Sequence, residues 1–345
     1  MNSIFKKDYG STSFITGIRA FAAMAVVLIH AGGAGLRNLG SFGNNIVNFG
    51  QAGVYVFFVI SGFSVALSYN TSNGYFNYIS KRLWRIAPLY YFWLSIFTIT
   101  GFSFNLSTLY NYLMHIFFLS SFDYRIANSI ISVEWSISVE VFWYFFVPLL
   151  LKLFDTNKKT MILIIVSFAI YYFSKKISVI ILPHDDNAAY ALHWSPIPYA
   201  ISYSLGIFSY RLRPKVIQSG TSGNTAFLCL CALLLIRFSF PSVIKTIFQN
   251  DLIFTSILTA AIILFGSEKS FLIRIFFSNR ITQFIGIISY GIYLSHVLML
   301  GIFSSIENLT FRFIAVTTAA ILISTITYYF IEQKFIMFGK KIALK

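Results

Sequence analysis

The chain has 345 residues, 57% of them hydrophobic, 19% aromatic and only 11% charged, with a formal net charge of +15 and a mean hydropathy of +0.75. A soluble domain carries about 25% charged and about 45–50% apolar residues, so soluble enzymes, disordered chains and disulfide scaffolds are excluded. The composition predicts an all-α, polytopic membrane helical bundle, in which an excess of basic residues reflects orientation across the bilayer and calls for no nucleic acid partner.

The N-terminus holds Lys6 and Lys7 and then a full apolar stretch without a small-residue cleavage site, so the first segment is expected to stay in the membrane. A helix needs about 20 apolar residues to cross a hydrocarbon core of about 30 Å. Stretches of that kind lie near 14–34, 47–69, 86–104, 133–153, 160–182, 197–210, 225–240, 252–267, 284–304 and 311–330. The shorter, more polar 108–122 reads as an interfacial or re-entrant segment, with an eleventh span as the alternative. About ten spans with both termini cytoplasmic leaves only Arg37, Arg125, Lys175, Lys176, Arg237, Lys245 and Arg312 on the outer side. Apart from Arg19, the other lysines and arginines fall inside, Arg211 and Arg213 among them, as the positive-inside rule requires. An eleventh span would destroy that asymmetry. Residues 1–345 read as one membrane domain with no appended soluble domain. Cys229 and Cys231, two apart in an apolar run, read as packing residues without redox meaning.

Ionisable side chains at membrane depth cost at least about 2.5–3.5 kcal/mol each near the bilayer centre. In the first span Arg19 and His30 are eleven residues apart, close to three full turns, so they share one face about 16 Å apart along the axis. A cation at the inner side and an imidazole further along one stripe suit an anionic ligand whose reactive end reaches inward. The alternative is that Arg19 snorkels to headgroups and His30 only hydrogen-bonds inside the bundle. In the second span Gly53, Ser61 and Gly62 allow close helix approach. Arg82 and Arg85, in KRLWRIAP, are three apart on one helical face and can grip a phosphate bidentately, or simply set topology.

Glu140 lies about two turns into the fourth span and should have a partner, His30 or an arginine. Glu134 reads as interfacial and Trp135 as a belt aromatic unless it supports a site; Ser138 lies between Trp135 and Glu140. His115 carries no signal. His184, Asp185, Asp186 and His193 share an outer loop, but no metal site is expected there. In the ninth span Ser289, Tyr293 and His296 share one face, with Tyr290 one position round; core hydrogen bonding is the default reading for these.

In order, these segments resemble the acyltransferase-3 family of integral membrane acyltransferases. The resemblance rests on Arg19 and His30, GV-x-x-FFV-x-SGF at 53–63, R-x-x-R-I-x-P at 82–88, WS-x-S-V-E at 135–140, G-x-ISY-x-x-YL-x-H at 286–296, and the glutamate of YFIEQKF at Glu332. Departures from the family pattern are Tyr55 in place of an acidic residue, Val141 in place of a second glutamate, and Gln333–Lys334 in place of Arg-Pro.

The resemblance implies transfer of an acyl group, commonly acetyl, from cytoplasmic acyl-CoA to a hydroxyl of a cell-envelope glycan or lipid-linked sugar, such as a surface polysaccharide or lipopolysaccharide, in a bacterial inner membrane. On this reading His30 is the general base, with an acyl-enzyme relay in which His30 is acylated first as the alternative; Glu140 orients or balances it, Arg82 and Arg85 hold the donor phosphates, and Arg19 holds the donor or steadies developing charge. Ser61, Trp135, Ser138, Tyr290, Tyr293 and His296 support the substrates or the structure. Acetyl-CoA is a donor substrate, and no resident cofactor or metal is expected. The competing classes are a non-catalytic transporter or flippase and a polysaccharide polymerase.

Overall fold

The computed structural model describes residues 12–101, 106–181, 188–248 and 250–342. Lys6, Lys7, Lys345 and the stretch His184–Asp186 lie outside the described residues. The principal helices are α1 (Phe14–His30), α2 (Ala52–Asn70), α3 (Tyr75–Gly101), α4 (Leu106–Ile116), α5 (Trp135–Leu153), α6 (Asn157–Ile181), α7 (Ala188–Trp194), α8 (Ala200–Leu212), α9 (Gly220–Ser239), α10 (Asp251–Phe265), α11 (Arg280–Ile287), α12 (Ser289–Ile302), α13 (Leu309–Thr327) and α14 (Gln333–Ile342), with no strand among the described residues.

Every one of the ten apolar stretches contains a helix. Five helical segments of the described chain are long and apolar enough to cross a membrane, or up to seven when each bent pair counts as one span. One bent pair is α11 and α12, which turn by 71° at the break between them. Helix α1 has 17 residues, about 26 Å of rise. It is shorter than its apolar stretch because the chain turns immediately after His30: the Gly33 N–H donates to the Leu28 carbonyl, and Gly33 holds a φ of 89° that a β-carbon would strain. The 11-residue α4 rises about 16 Å, too little to span the hydrocarbon layer.

The chain groups into two compact units, one formed by the segment up to Phe63 with Leu205–Ser324, the other by Ser64–Ser204 with the segment from Thr325 onward. In the first unit α1 is the central element, flanked by α11 and α12. At Gly286, on α11, a β-carbon would collide with the Thr16 backbone carbonyl of α1, so the two backbones are in direct contact there. Two arginines that the sequence reading counts only toward the charge asymmetry have structural partners. Arg213 is wholly buried and donates to the carbonyls of Ile263 and Gly266, capping the C-terminus of α10. Arg237, at the end of α9, forms a bidentate pair with Asp251 at 2.6 and 2.8 Å.

In the second unit, α3 carries Pro88 inside its 27 residues and packs against α14, where Trp84 stacks on Phe335 at 5.6 Å. A five-residue π-helical turn, Tyr328–Glu332, precedes α14. The segment before α5 corrects two readings. Glu134 is not interfacial and His115 is not idle: both are 0% exposed and meet at 3.1 Å. His115 Nδ1 donates to the Asn111 carbonyl, while Glu134 accepts the backbone N–H groups of Ile130 and Val133. One carboxylate thus fixes both the loop and its junction with α4.

Two stability predictions follow from these contacts. Glu134→Ala strands the His115 ring and two buried N–H groups and should cost about 3–5 kcal/mol; thermal unfolding in detergent should show it against Lys159→Ala, an exposed pair member worth about 0–1 kcal/mol. Gly286→Val should overpack the α1–α11 contact by about 1–3 kcal/mol, whereas Gly301→Val, with open space at its β-carbon, should leave the melting temperature nearly unchanged.

Candidate active site

The first unit holds one face of chemistry. His30 is the last residue of α1 and is exposed, and its Nδ1 lies 2.9 Å from Nε2 of His296 on α12. His296 is fully buried, and its Nδ1 lies 2.7 Å from the Tyr293 carbonyl. The two imidazoles are nearly coplanar, at 18°, with centroids 5.1 Å apart, so their contact is edge to edge in the plane of the rings. The position of His30 also matters electrostatically. The C-terminal end of a helix favours positive charge by about 0.3–1 kcal/mol, more when partly buried.

Arg19, half-buried, sits toward the other end of the same stripe, its guanidinium 6.0 Å over the Phe57 ring of α2. Phe57 meets Tyr293 edge-on at 6.2 Å, and Tyr293 lies 6.0 Å from the His296 ring. Arg19 and His30 are therefore connected through a continuous file of rings from three helices. Ser61 is buried on α2, and Tyr290 is half-buried at the start of α12. The first unit also has an apolar cavity of about 430 Å³, lined by Ala22, Ala25, Ala52, Gly53, Leu230 and Leu258 among others. Its α1 residues lie about 120° around the helix from the Arg19–His30 stripe, so this cavity opens on a different face.

The second unit gathers the remaining predicted residues. Arg82 is buried, donates to the Ser64 carbonyl and places its guanidinium 5.5 Å over the Tyr144 ring. The Tyr144 hydroxyl donates to Glu140 at 2.7 Å, and the Tyr78 hydroxyl donates to the Tyr144 carbonyl at 2.8 Å. Tyr144 lies one turn along the same helix from Glu140. Tyr144 is thus a residue that sequence reasoning missed, although its i+4 spacing from Glu140 was readable. Arg85 follows one turn after Arg82 and is half-buried. Among the described residues neither guanidinium forms an ion pair with a carboxylate, and the Nε of Arg82 is buried without a hydrogen-bond partner.

Trp135 is not a belt aromatic. It is buried between His193, at 4.7 Å, and Tyr199, at 5.7 Å. Burial pushes His193 down to about 4, so it is uncharged at neutral pH. Ser138 is buried and bonded to Ser120 at 2.8 Å, which ties α5 to the preceding turn. Among the described residues no group of three His, Cys, Asp or Glu side chains converges to hold a metal.

The chain is 25% identical over 289 residues to a protein of Acidianus two-tailed virus named "Putative acetyltransferase ORF330", covering 83% of this chain and 82% of that one. It is 22% identical over 357 residues to the Bacillus subtilis (strain 168) protein named "Putative peptidoglycan O-acetyltransferase YrhL", covering 92% of this chain and 54% of that protein, so it spans about half of that relative. No solved structure matches the chain. The model of the acyltransferase domain family, acyltransferase-3, matches residues 12–330, and the chain belongs to that family of membrane acyltransferases.

Proposed function

We propose that this protein is an O-acetyltransferase that moves an acetyl group from cytoplasmic acetyl-CoA to a hydroxyl of a cell-envelope glycan or its lipid-linked precursor, in a bacterial inner membrane that it crosses about ten times with both termini cytoplasmic. The observation that carries the reading is the exposed imidazole of His30, held from behind by a buried one. The family membership supports acyl transfer, and the word peptidoglycan in the name of the Bacillus subtilis relative makes a peptidoglycan sugar the first acceptor to test.

A thioester is already activated, so the enzyme's task is to make a sugar hydroxyl nucleophilic. His30 takes the hydroxyl proton as the oxygen bonds to the thioester carbonyl carbon. The C–S bond then breaks, and the departing sulfur takes that proton from His30 and leaves as the thiol. Oxygen, acyl group and proton are all accounted for, and no redox partner is needed. Arg82 and Arg85 seat the phosphates of coenzyme A. What supports this role is that two adjacent guanidiniums, one of them buried, lack a carboxylate partner among the described residues, which is costly unless an anion arrives. Arg19 steadies the donor or the developing oxyanion, and Glu140 acts through the Tyr144 hydroxyl on the ring that Arg82 covers.

Two measurements test the assignment. With labelled acetyl-CoA and a peptidoglycan or envelope-glycan fraction, the purified protein should transfer label, and His30→Ala should abolish transfer while membrane insertion and abundance stay normal; an active His30→Ala variant removes the base. If the wild-type protein consumes no thioester, the transporter and polymerase readings take over. Arg85→Ala should raise the dissociation constant for coenzyme A by about 10-fold or more. Arg85 is the cleaner of the two probes, because Arg82→Ala also loses the Ser64 bond and the Tyr144 ring contact.

A further inference from the structure

Hydrogen-bond accounting at the two histidines leads beyond the naming of a base. The Tyr293 carbonyl is an acceptor only, so the His296 nitrogen that meets it, Nδ1, must carry hydrogen. Between His296 Nε2 and His30 Nδ1, 2.9 Å apart, there is room for one hydrogen. If that hydrogen belonged to His296, its ring would be doubly protonated and cationic at a site with 0% exposure, with no carboxylate in contact among the described residues. A buried, uncompensated cation is the costlier arrangement by far. His296 is therefore neutral and accepts, and His30 donates from Nδ1.

We infer that His296 is the positioning residue for His30: together with the Tyr293 carbonyl it locks the resting His30 into the Nδ1–H tautomer, so that the bare, reactive nitrogen is Nε2. The chain of bonds runs from His30 Nδ1–H to His296 Nε2, and from His296 Nδ1–H to the Tyr293 oxygen. Its direction is set at the buried end, by a backbone atom that cannot donate. Free neutral histidine favours the opposite tautomer, so without this partner His30 would hold its lone pair on the nitrogen nearer its own backbone. The same bond restrains the rotation of the His30 ring about Cβ–Cγ, because turning it would swing Nδ1 away from His296. When Nε2 receives the hydroxyl proton, the Nδ1–H bond to His296 becomes charge-assisted and strengthens at the moment it is needed. The catalytic use of this device rests on the acyltransferase reading above; the tautomer itself does not.

The test therefore has two arms. Solid-state 15N spectra of histidine-labelled protein in lipid vesicles, with the His30 signals assigned by their loss in His30→Gln, should show hydrogen on Nδ1 and a bare Nε2 in the neutral ring. His296→Ala should move that hydrogen to Nε2. Finding Nε2–H in the wild-type protein overturns the inference whether or not the protein transfers acetyl groups. In the activity arm, His296→Ala should lower kcat by about 100-fold or more with the donor KM nearly unchanged. His296→Gln, whose amide oxygen can accept from His30 while its NH2 donates to Tyr293, should recover most of that loss. Equal losses in the two variants, with the Nδ1–H signal preserved in both, would reduce His296 to a packing residue. A wild-type protein inert toward acetyl-CoA would sink the proposed function and leave the spectra to decide the tautomer.

Discussion

A polar group inside a hydrocarbon layer has to find its hydrogen bonds within the protein, because neither lipid nor water will supply them. That constraint explains most of the polar placements seen here. Arg213 spends its donors on the carbonyls at the end of α10, Arg237 on a single aspartate, and Glu134 on a buried histidine and two backbone N–H groups. These side chains are committed to structural partners. Against that background, other groups stand out: His30, an exposed residue engaged at Nδ1, and Arg82 and Arg85, which form no ion pair with a carboxylate among the described residues. Function is read from what the fold leaves unused.

The parts of this arrangement that depend on a single helix were legible in the sequence. The 3.6-residue repeat put Arg19 and His30 on one stripe, Arg82 beside Arg85, and Ser289, Tyr293 and His296 on one face, and the structure keeps all three sets on single helices or on consecutive turns. The parts that depend on tertiary pairing were not. His30 and His296 are 266 residues apart, and nothing local to either says that they meet. His115 and Glu134 lie on either side of an irregular loop, where periodicity carries no information. Arg213 and Arg237 entered the sequence reading only as sides of a charge asymmetry, and a charge count cannot tell a solvated residue from one that caps a helix or pairs with a buried aspartate. One miss was avoidable: HAGGAG, directly after the apolar run, is a helix-stop signal, and it places His30 at the end of α1 and not deep inside it.

The apolar cavity helps to separate the candidate classes. It is the kind of space a hydrocarbon chain fills, yet its α1 wall consists of small and apolar side chains on a face different from the Arg19–His30 stripe. A conduit for a charged sugar would be expected to draw the polar residues of α1 into its lining. Instead, the polar stripe meets rings and hydrogen-bonding groups: Phe57, Tyr293 and His296. Such an arrangement is rigid and specific, which suits holding one imidazole in one orientation better than passing a cargo along a path.

The choice of a second histidine behind the first follows from the same solvent argument. In water-facing enzymes a carboxylate commonly orients the basic imidazole and offsets the charge it acquires. In a bilayer a carboxylate in that position would itself be a buried charge in the resting state, repaid only while the imidazole is protonated. A neutral imidazole backed by a main-chain carbonyl orients the base equally well and carries no net charge between turnovers. Its cost is a weaker counterbalance when the proton arrives, and the end of α1 supplies part of it, since His30 occupies the helix's last turn, where the dipole favours a cation. The glycine-rich turn that ends α1 at His30 and the burial of His296 on α12 are therefore two halves of one proposed solution: the first leaves His30 exposed at the helix end, and the second orients its ring without placing a permanent charge in the membrane.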